Sequence, residues 1–247
     1  MIPKKLHYCW FSGEPYPETI QHCIESWKKH LSDFEMIEWN AEKALSTGIP
    51  WVKEAIQQKR WAFASDAVRL YALYTEGGFY LDTDVEVLQS FEDLLKRPYV
   101  LGYENGSQRI EAATMGCEAG FKPIKAALDF YSGHRFSYSE KNVDQMVLPN
   151  ILRKTFNGFD GLEIFPETVF SPKSFMDGKI RSTEKTYSIH HFSSSWRPES
   201  LRKGITRRQK LYRIFPKPVA KVLSIPLSLW TNLSTLGLAG TIKKLWR

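Results

Sequence analysis

The stretch Gly77-Gly78-Phe79-Tyr80-Leu81-Asp82-Thr83-Asp84-Val85 decides the reading of this chain. Its two glycines end whatever helix precedes them, because glycine takes the left-handed backbone at little cost. Phe79 to Leu81 is a short apolar run that reads as a buried strand. Two aspartates then follow at i and i+2. In an extended segment such a pair points to one side and can address one cation together. Carboxylates at the end of a central strand stand at the open edge of a sheet, where ligands bind in α/β proteins. Hard cations such as Mg²⁺ or Mn²⁺ take oxygen ligands, usually one or two carboxylates together with phosphate oxygens.

Outward from this stretch, strands and helices alternate. Lys5–Phe11 reads as a strand closed by the turn cluster Ser12-Gly13-Glu14-Pro15. Glu18–His30 carries Ile20, Ile24 and Trp27 at helical spacing, and Phe34–Trp39 alternates as a half-buried strand does. Residues 51–76 read as mostly helix, and Val85–Leu88 as a further strand. The order predicts an α/β domain with a mixed, largely parallel sheet. Residues 100–196 are less regular, with a helix near 122–132. In the helix before the glycines, Asp66 and Arg69 are three apart and share a face. They form either a local ion pair or a polar pair near a phosphorylated ligand, since the guanidinium matches carboxylate and phosphate.

Composition sets the frame. The 247 residues are 43% hydrophobic and 25% charged, as expected of a globular core. Three cysteines, Cys9, Cys23 and Cys117, form no C-x-x-C pair, which argues against a disulfide framework or a cysteine zinc site and for a reducing cytoplasm. The N-terminus lacks the long apolar run of a signal peptide. The net charge of +7 is unevenly spread. Residues 1–196 hold 22 Lys and Arg against 26 Asp and Glu, whereas residues 197–247 hold 12 against Glu199 alone. A boundary after Trp196 therefore separates a mildly acidic body, 1–196, from a basic tail, 197–247.

In the tail, Arg202, Lys203, Arg207, Arg208, Lys210, Arg213, Lys217 and Lys221 interleave with Leu211, Tyr212, Ile214 and Phe215. Residues 222–242 are then free of charge. The run is long enough to span a bilayer, yet Pro226, Asn232, two glycines and several hydroxyl residues make it too polar to favour that. An amphipathic helical segment lying on an anionic membrane surface fits better. Packing on the body and a true span are the alternatives. Nucleic acid ranks low as a target, because the body is acidic and shows no recognised binding module.

Four blocks carry a family resemblance: Ile2–Phe11, Ala64–Leu70, Gly77–Val85 and His190–Trp196. Together they resemble the family-32 glycosyltransferases, the bacterial capsular-polysaccharide enzymes and yeast-type mannosyltransferases that share a DXD sugar-binding region. A more distant likeness reaches the large clostridial glucosylating toxins. The blocks stand in family order and span residues 2–196.

The resemblance implies a GT-A fold, a nucleotide-sugar donor, Mn²⁺ or Mg²⁺, and retention of anomeric configuration. Trp10 would stack on the base, and Asp66 and Arg69 would hold the donor sugar. Asp82 would contact ribose and metal, and Asp84 would ligate the metal. His191 or its neighbour His190 would complete the metal shell, with Ser194 nearby and Trp196 against the phosphates. The toxins carry a glutamate where His191 falls. If extended, the two histidines face opposite ways, so one alone can reach the metal. Asp144-Gln145 would lie near the acceptor side of the donor sugar. Asp66, Arg69 and Asp84 are the expected catalytic set.

The expected activity is transfer of a hexose or N-acetylhexosamine, from a UDP-sugar by resemblance to the bacterial members. The expected acceptor is a lipid-linked glycan on the cytoplasmic face of the membrane, in capsule or other surface-glycan synthesis. Two other classes compete. A nucleotidyltransferase-like enzyme would carry a Gly-rich phosphate loop near the first strand, where none is seen. A non-catalytic sugar-nucleotide or membrane-binding protein would bind without turnover.

Overall fold

The computed structural model describes residues 1–107, 109–138, 143–193 and 199–227. The strands are β1 (Lys5–Cys9), β2 (Glu35–Trp39), β3 (Gly78–Leu81), β4 (Val85–Val87), β5 (Tyr99–Val100), β6 (Thr114–Cys117) and β7 (Ser188–His190). The helices are α1 (Glu18–His30), α2 (Ala41–Leu45), α3 (Pro50–Gln57), α4 (Trp61–Glu76), α5 (Lys122–Gly133), α6 (Val143–Met146), α7 (Leu148–Phe156), α8 (Glu167–Phe170) and α9 (Glu199–Ile214).

Five strands form one sheet in the order β2-β1-β3-β6-β5. β1 pairs parallel with β2 and β3, and β6 pairs antiparallel with β3 and β5. Four strands therefore run one way and β6 alone runs against them. β3, which leads into Asp82, is central. Its residues alternate between two cores, as a pleated strand requires. Phe79 and Leu81 pack with Ile20, Ile24 and Trp27 of α1, while Tyr80 joins the cluster of α3, α4, α5 and α7. Helices thus cover both faces of the sheet. Burying a side chain such as Phe79 or Leu81 contributes about 1.5–3 kcal/mol each.

The predicted helix over 51–76 is two helices. The chain breaks at Gln58–Arg60, where Lys59 takes a left-handed φ of 53°. The paired glycines act as expected. Gly77 and Gly78 have φ of 67° and 97°. A Cβ on Gly78 would lie 2.6 Å from the Lys5 carbonyl oxygen, so the close approach of β3 to β1 requires glycine there.

Contacts divide the chain into two units, one of residues 1–172 and 182–191, the other of 173–181 and 192–247. Within the second, Gln209 Nε2 donates to the Phe175 carbonyl at 3.3 Å, and Arg213 Nε donates to that of Asp177. α9 is followed by helical residues 217–227. Ile214, Val222 and Ile225 are exposed, at 71%, 65% and 52%. Among the described residues no helix is long and apolar enough to cross a membrane. Residues 228–247 of the predicted amphipathic tail lie outside the described residues.

Candidate active site

β3 ends at Leu81, and the chain turns immediately. Asp82 N–H donates to the Ala113 carbonyl at 2.9 Å, extending the pairing with β6 by one residue. Val85 N–H donates to the Asp82 carbonyl at 3.0 Å, closing the turn that holds both aspartates. β4 then pairs antiparallel with β7, with Val85 opposite His190. Trp27 Nε1 donates to the Val85 carbonyl at 2.7 Å, fixing this corner to α1.

The register brings a third candidate ligand to the aspartates. One ligand atom each of Asp82, Asp84 and His190 lies within 4.8 Å of the others. His190 Nε2 is 3.5 Å from Asp84 Oδ1. Two carboxylates and one imidazole form a donor set that suits Mn²⁺, which accepts oxygen and imidazole together. All three are partly exposed. These residues fit a divalent cation.

His191, the residue after β7, is engaged elsewhere. His191 Nε2 pairs with Glu86 Oε2 at 2.9 Å, while its backbone N–H donates to the Asp84 carbonyl. His190, rather than His191, is the residue that joins the aspartates.

Asp82 also belongs to a buried ion-pair network. Arg69, 4% exposed, places Nη2 3.0 Å from Asp66 Oδ1 and 3.1 Å from Asp82 Oδ1. Its Nη1 donates to the Ala112 carbonyl at 2.6 Å, and its guanidinium lies over the Tyr80 ring at 4.5 Å. Tyr80 Oη donates to Asp82 Oδ1 at 3.0 Å. Burial opposes the charge on Arg69, but Asp82, Tyr80 and Asp66 outweigh it and hold the guanidinium firmly protonated. Burial pushes the Asp66 carboxyl up to about 7, against the pull of Arg69. Asp66 and Arg69 thus stand in contact, and Arg69 joins Asp66 to Asp82.

Sequence reasoning missed Glu111. It is 2% exposed, and its Oε1 receives hydrogen bonds from His190 Nδ1 at 3.2 Å and Ala113 N–H at 2.8 Å. Burial alone would favour its neutral form, but His190 holds its carboxyl below the ordinary range. Burial likewise opposes charge on His190, and Glu111 and Asp84 together raise its pKa well above the usual value. The one signal in the sequence is an isolated acid inside the apolar run Ile110–Met115.

The remaining expected residues are scattered. Trp10 follows β1 directly, is half-buried, and packs on Tyr16 with ring centroids 4.9 Å apart; its Nε1 donates to the Glu14 carbonyl. Gln145 in α6 is exposed and lines a cavity of about 240 Å³ with Trp51, His134, Arg135 and Lys154, none of them in the aspartate cluster. Asp144 lies in the same short helix. Ser194 and Trp196 fall outside the described residues.

Residues 17–101 match the model of the family described as "Glycosyltransferase sugar-binding region containing DXD motif". That segment runs from α1 through β5 and contains Asp66, Arg69, Asp82 and Asp84. The chain is 31% identical over 101 residues to an inositol phosphoceramide mannosyltransferase of Schizosaccharomyces pombe, covering 39% of this chain and 28% of that protein. It is 46% identical over 46 residues to glucan organizing enzyme 1 of Cryptococcus neoformans, covering 19% of this chain and 13% of that one. The chain therefore matches under a third of the length of either relative. Among solved structures, the PaToxG glycosyltransferase superposes with a TM-score of 0.53 at 20% identity, covering 66% of this chain and 71% of that one. That likeness is one of fold, and it places the α/β body among GT-A-type glycosyltransferase architectures.

Proposed function

We propose that this protein is a retaining glycosyltransferase that draws a hexose or N-acetylhexosamine from a nucleotide-sugar, with UDP the preferred nucleotide. The observation that carries the reading is the meeting of Asp82, Asp84 and His190 at the end of the central strand, beside the Arg69 network. Asp82, Asp84 and His190 would hold Mn²⁺ or Mg²⁺. Such a cation supplies Lewis-acid neutralisation of the charge that grows on the departing diphosphate.

The protein's own residues supply position. Arg69 holds Asp82 through Oδ1, and the cost of burying its charge is offset only while Asp66 and Asp82 remain in place. Asp66 can then receive a sugar hydroxyl at the rim of that network. Trp10 offers an aromatic face for the base. Retention follows a front-face course: the donor C1–O(phosphate) bond breaks, the acceptor oxygen bonds C1 on the same face, and the acceptor proton passes to the leaving phosphate oxygen. No carboxylate nucleophile is assigned to this step.

The exposed Ile214, Val222 and Ile225 among lysines and arginines support attachment of the C-terminal segment to an anionic membrane surface. A lipid-linked glycan acceptor on the cytoplasmic leaflet, as in capsule or other surface-glycan synthesis, suits that placement. The test is nucleotide release from a panel of UDP- and GDP-sugars, mannose donors included, with Mn²⁺ and a lipid-linked acceptor. Release with one donor, lost on adding EDTA, supports the reading. Binding of a sugar nucleotide with no release under any condition would reduce the protein to a non-catalytic binder.

A further inference from the structure

The reading of Asp82, Asp84 and His190 as a cation site leaves one buried charge without a role. Glu111 lies in the loop before β6, with its backbone N–H donating to the Gly102 carbonyl at 2.8 Å. Its side chain turns back on its own loop through the bond from Ala113 N–H. Residues 111–113 touch three members of the site. Glu111 holds His190, the Ala112 carbonyl accepts from Arg69, and the Ala113 carbonyl accepts from Asp82. Taking a carboxylate out of water costs several kcal/mol, so a position that served packing alone would be apolar. The Ser171 hydroxyl lies beside the Glu111 carboxylate and also favours its ionised form. The ion pair of that carboxylate is with His190.

We infer that Glu111 is a positioning residue for the cation: it fixes the His190 ring by accepting from Nδ1, which turns Nε2 toward Asp82 and Asp84. An ionised carboxylate can only accept, so Nδ1 must be the donor and Nε2 is the nitrogen left to bind metal. Histidine ligands are commonly held in this way by a carboxylate on the second nitrogen, and loss of that partner costs 10–100-fold in metal affinity.

The experiment is Mn²⁺ titration of the full chain by electron paramagnetic resonance, with Asp84→Asn as the site control. Glu111→Gln, close in volume, is expected to weaken Mn²⁺ binding about tenfold or more, with thermal unfolding in EDTA showing that the fold persists. In a His190→Ala background, Glu111→Gln should have no further effect, because the residue acts through His190. Parent-like affinity in Glu111→Gln, or an equal loss in both backgrounds, overturns the inference while leaving the cation site standing. Absence of Mn²⁺ binding by the parent overturns both. Should Glu111→Gln not fold, ¹⁵N spectra of the parent loaded with diamagnetic Zn²⁺ decide: a protonated Nδ1 on His190 is expected, and an unprotonated one refutes the assignment.

Discussion

Replacing Arg69 with methionine removes the charge at the centre of the site and keeps most of the buried volume. The Asp66 carboxylate, the Asp82 carboxylate and the Ala112 carbonyl then lose the guanidinium, although Tyr80 Oη still donates to Asp82. Asp66 is 15% exposed and Asp82 28%, so water restores little of the first and only part of the second. Breaking a buried pair by removing one member costs about 3–5 kcal/mol. In a domain of this size each kcal/mol lowers the unfolding midpoint by roughly 2–4 °C. Arg69→Met should therefore unfold about 6–20 °C below the parent at pH 8. Arg69→Lys keeps a charge but loses the planar fork, and should fall between the two. Calorimetry on the three proteins checks this. An Arg69→Met midpoint within 2 °C of the parent would refute the claim that Arg69 holds the two aspartates.

Two further outcomes follow from the same geometry. Asp66 has its folded pKa raised to about 7, above its unfolded value, so its stabilising influence is present at low pH and is lost as pH rises toward 7. The parent should lose stability as pH rises from 4 to 7 on account of this group, and the slope should flatten in Asp66→Asn; identical pH–stability curves would contradict it. At the other end of the chain, Val222→Ser with Ile225→Ser removes exposed apolar surface without changing charge. Flotation with phosphatidylserine vesicles should fall several-fold in that variant, and unchanged flotation would discard the membrane surface as its partner.

The sequence reveals the first half of the body well because its signals are local. Ile20, Ile24 and Trp27 share a helix face, Phe79 and Leu81 point one way and Tyr80 the other, and two glycines mark the entry to β3. The break between α3 and α4 was not legible, since the left-handed residue there is Lys59 rather than glycine. Nor could alternation say which histidine meets the aspartates. It sets His190 and His191 apart if both are extended, but the choice depends on the pairing of β7 with β4 across about a hundred residues of sequence. Glu111 was invisible for a like reason. Its meaning lies in a contact with His190, 79 positions away, and no spacing records it.

The central claim is that Asp84 and its neighbours hold a cation on which the nucleotide diphosphate docks. Calorimetric titration with UDP, in Mn²⁺ and in EDTA, tests it most directly. The parent should bind UDP at least about tenfold more tightly with Mn²⁺, a coupling of 1.4 kcal/mol or more, and Asp84→Asn should show no difference between the two conditions. Equal UDP affinity with and without Mn²⁺ in the parent, or a coupling that survives in Asp84→Asn, would contradict the account.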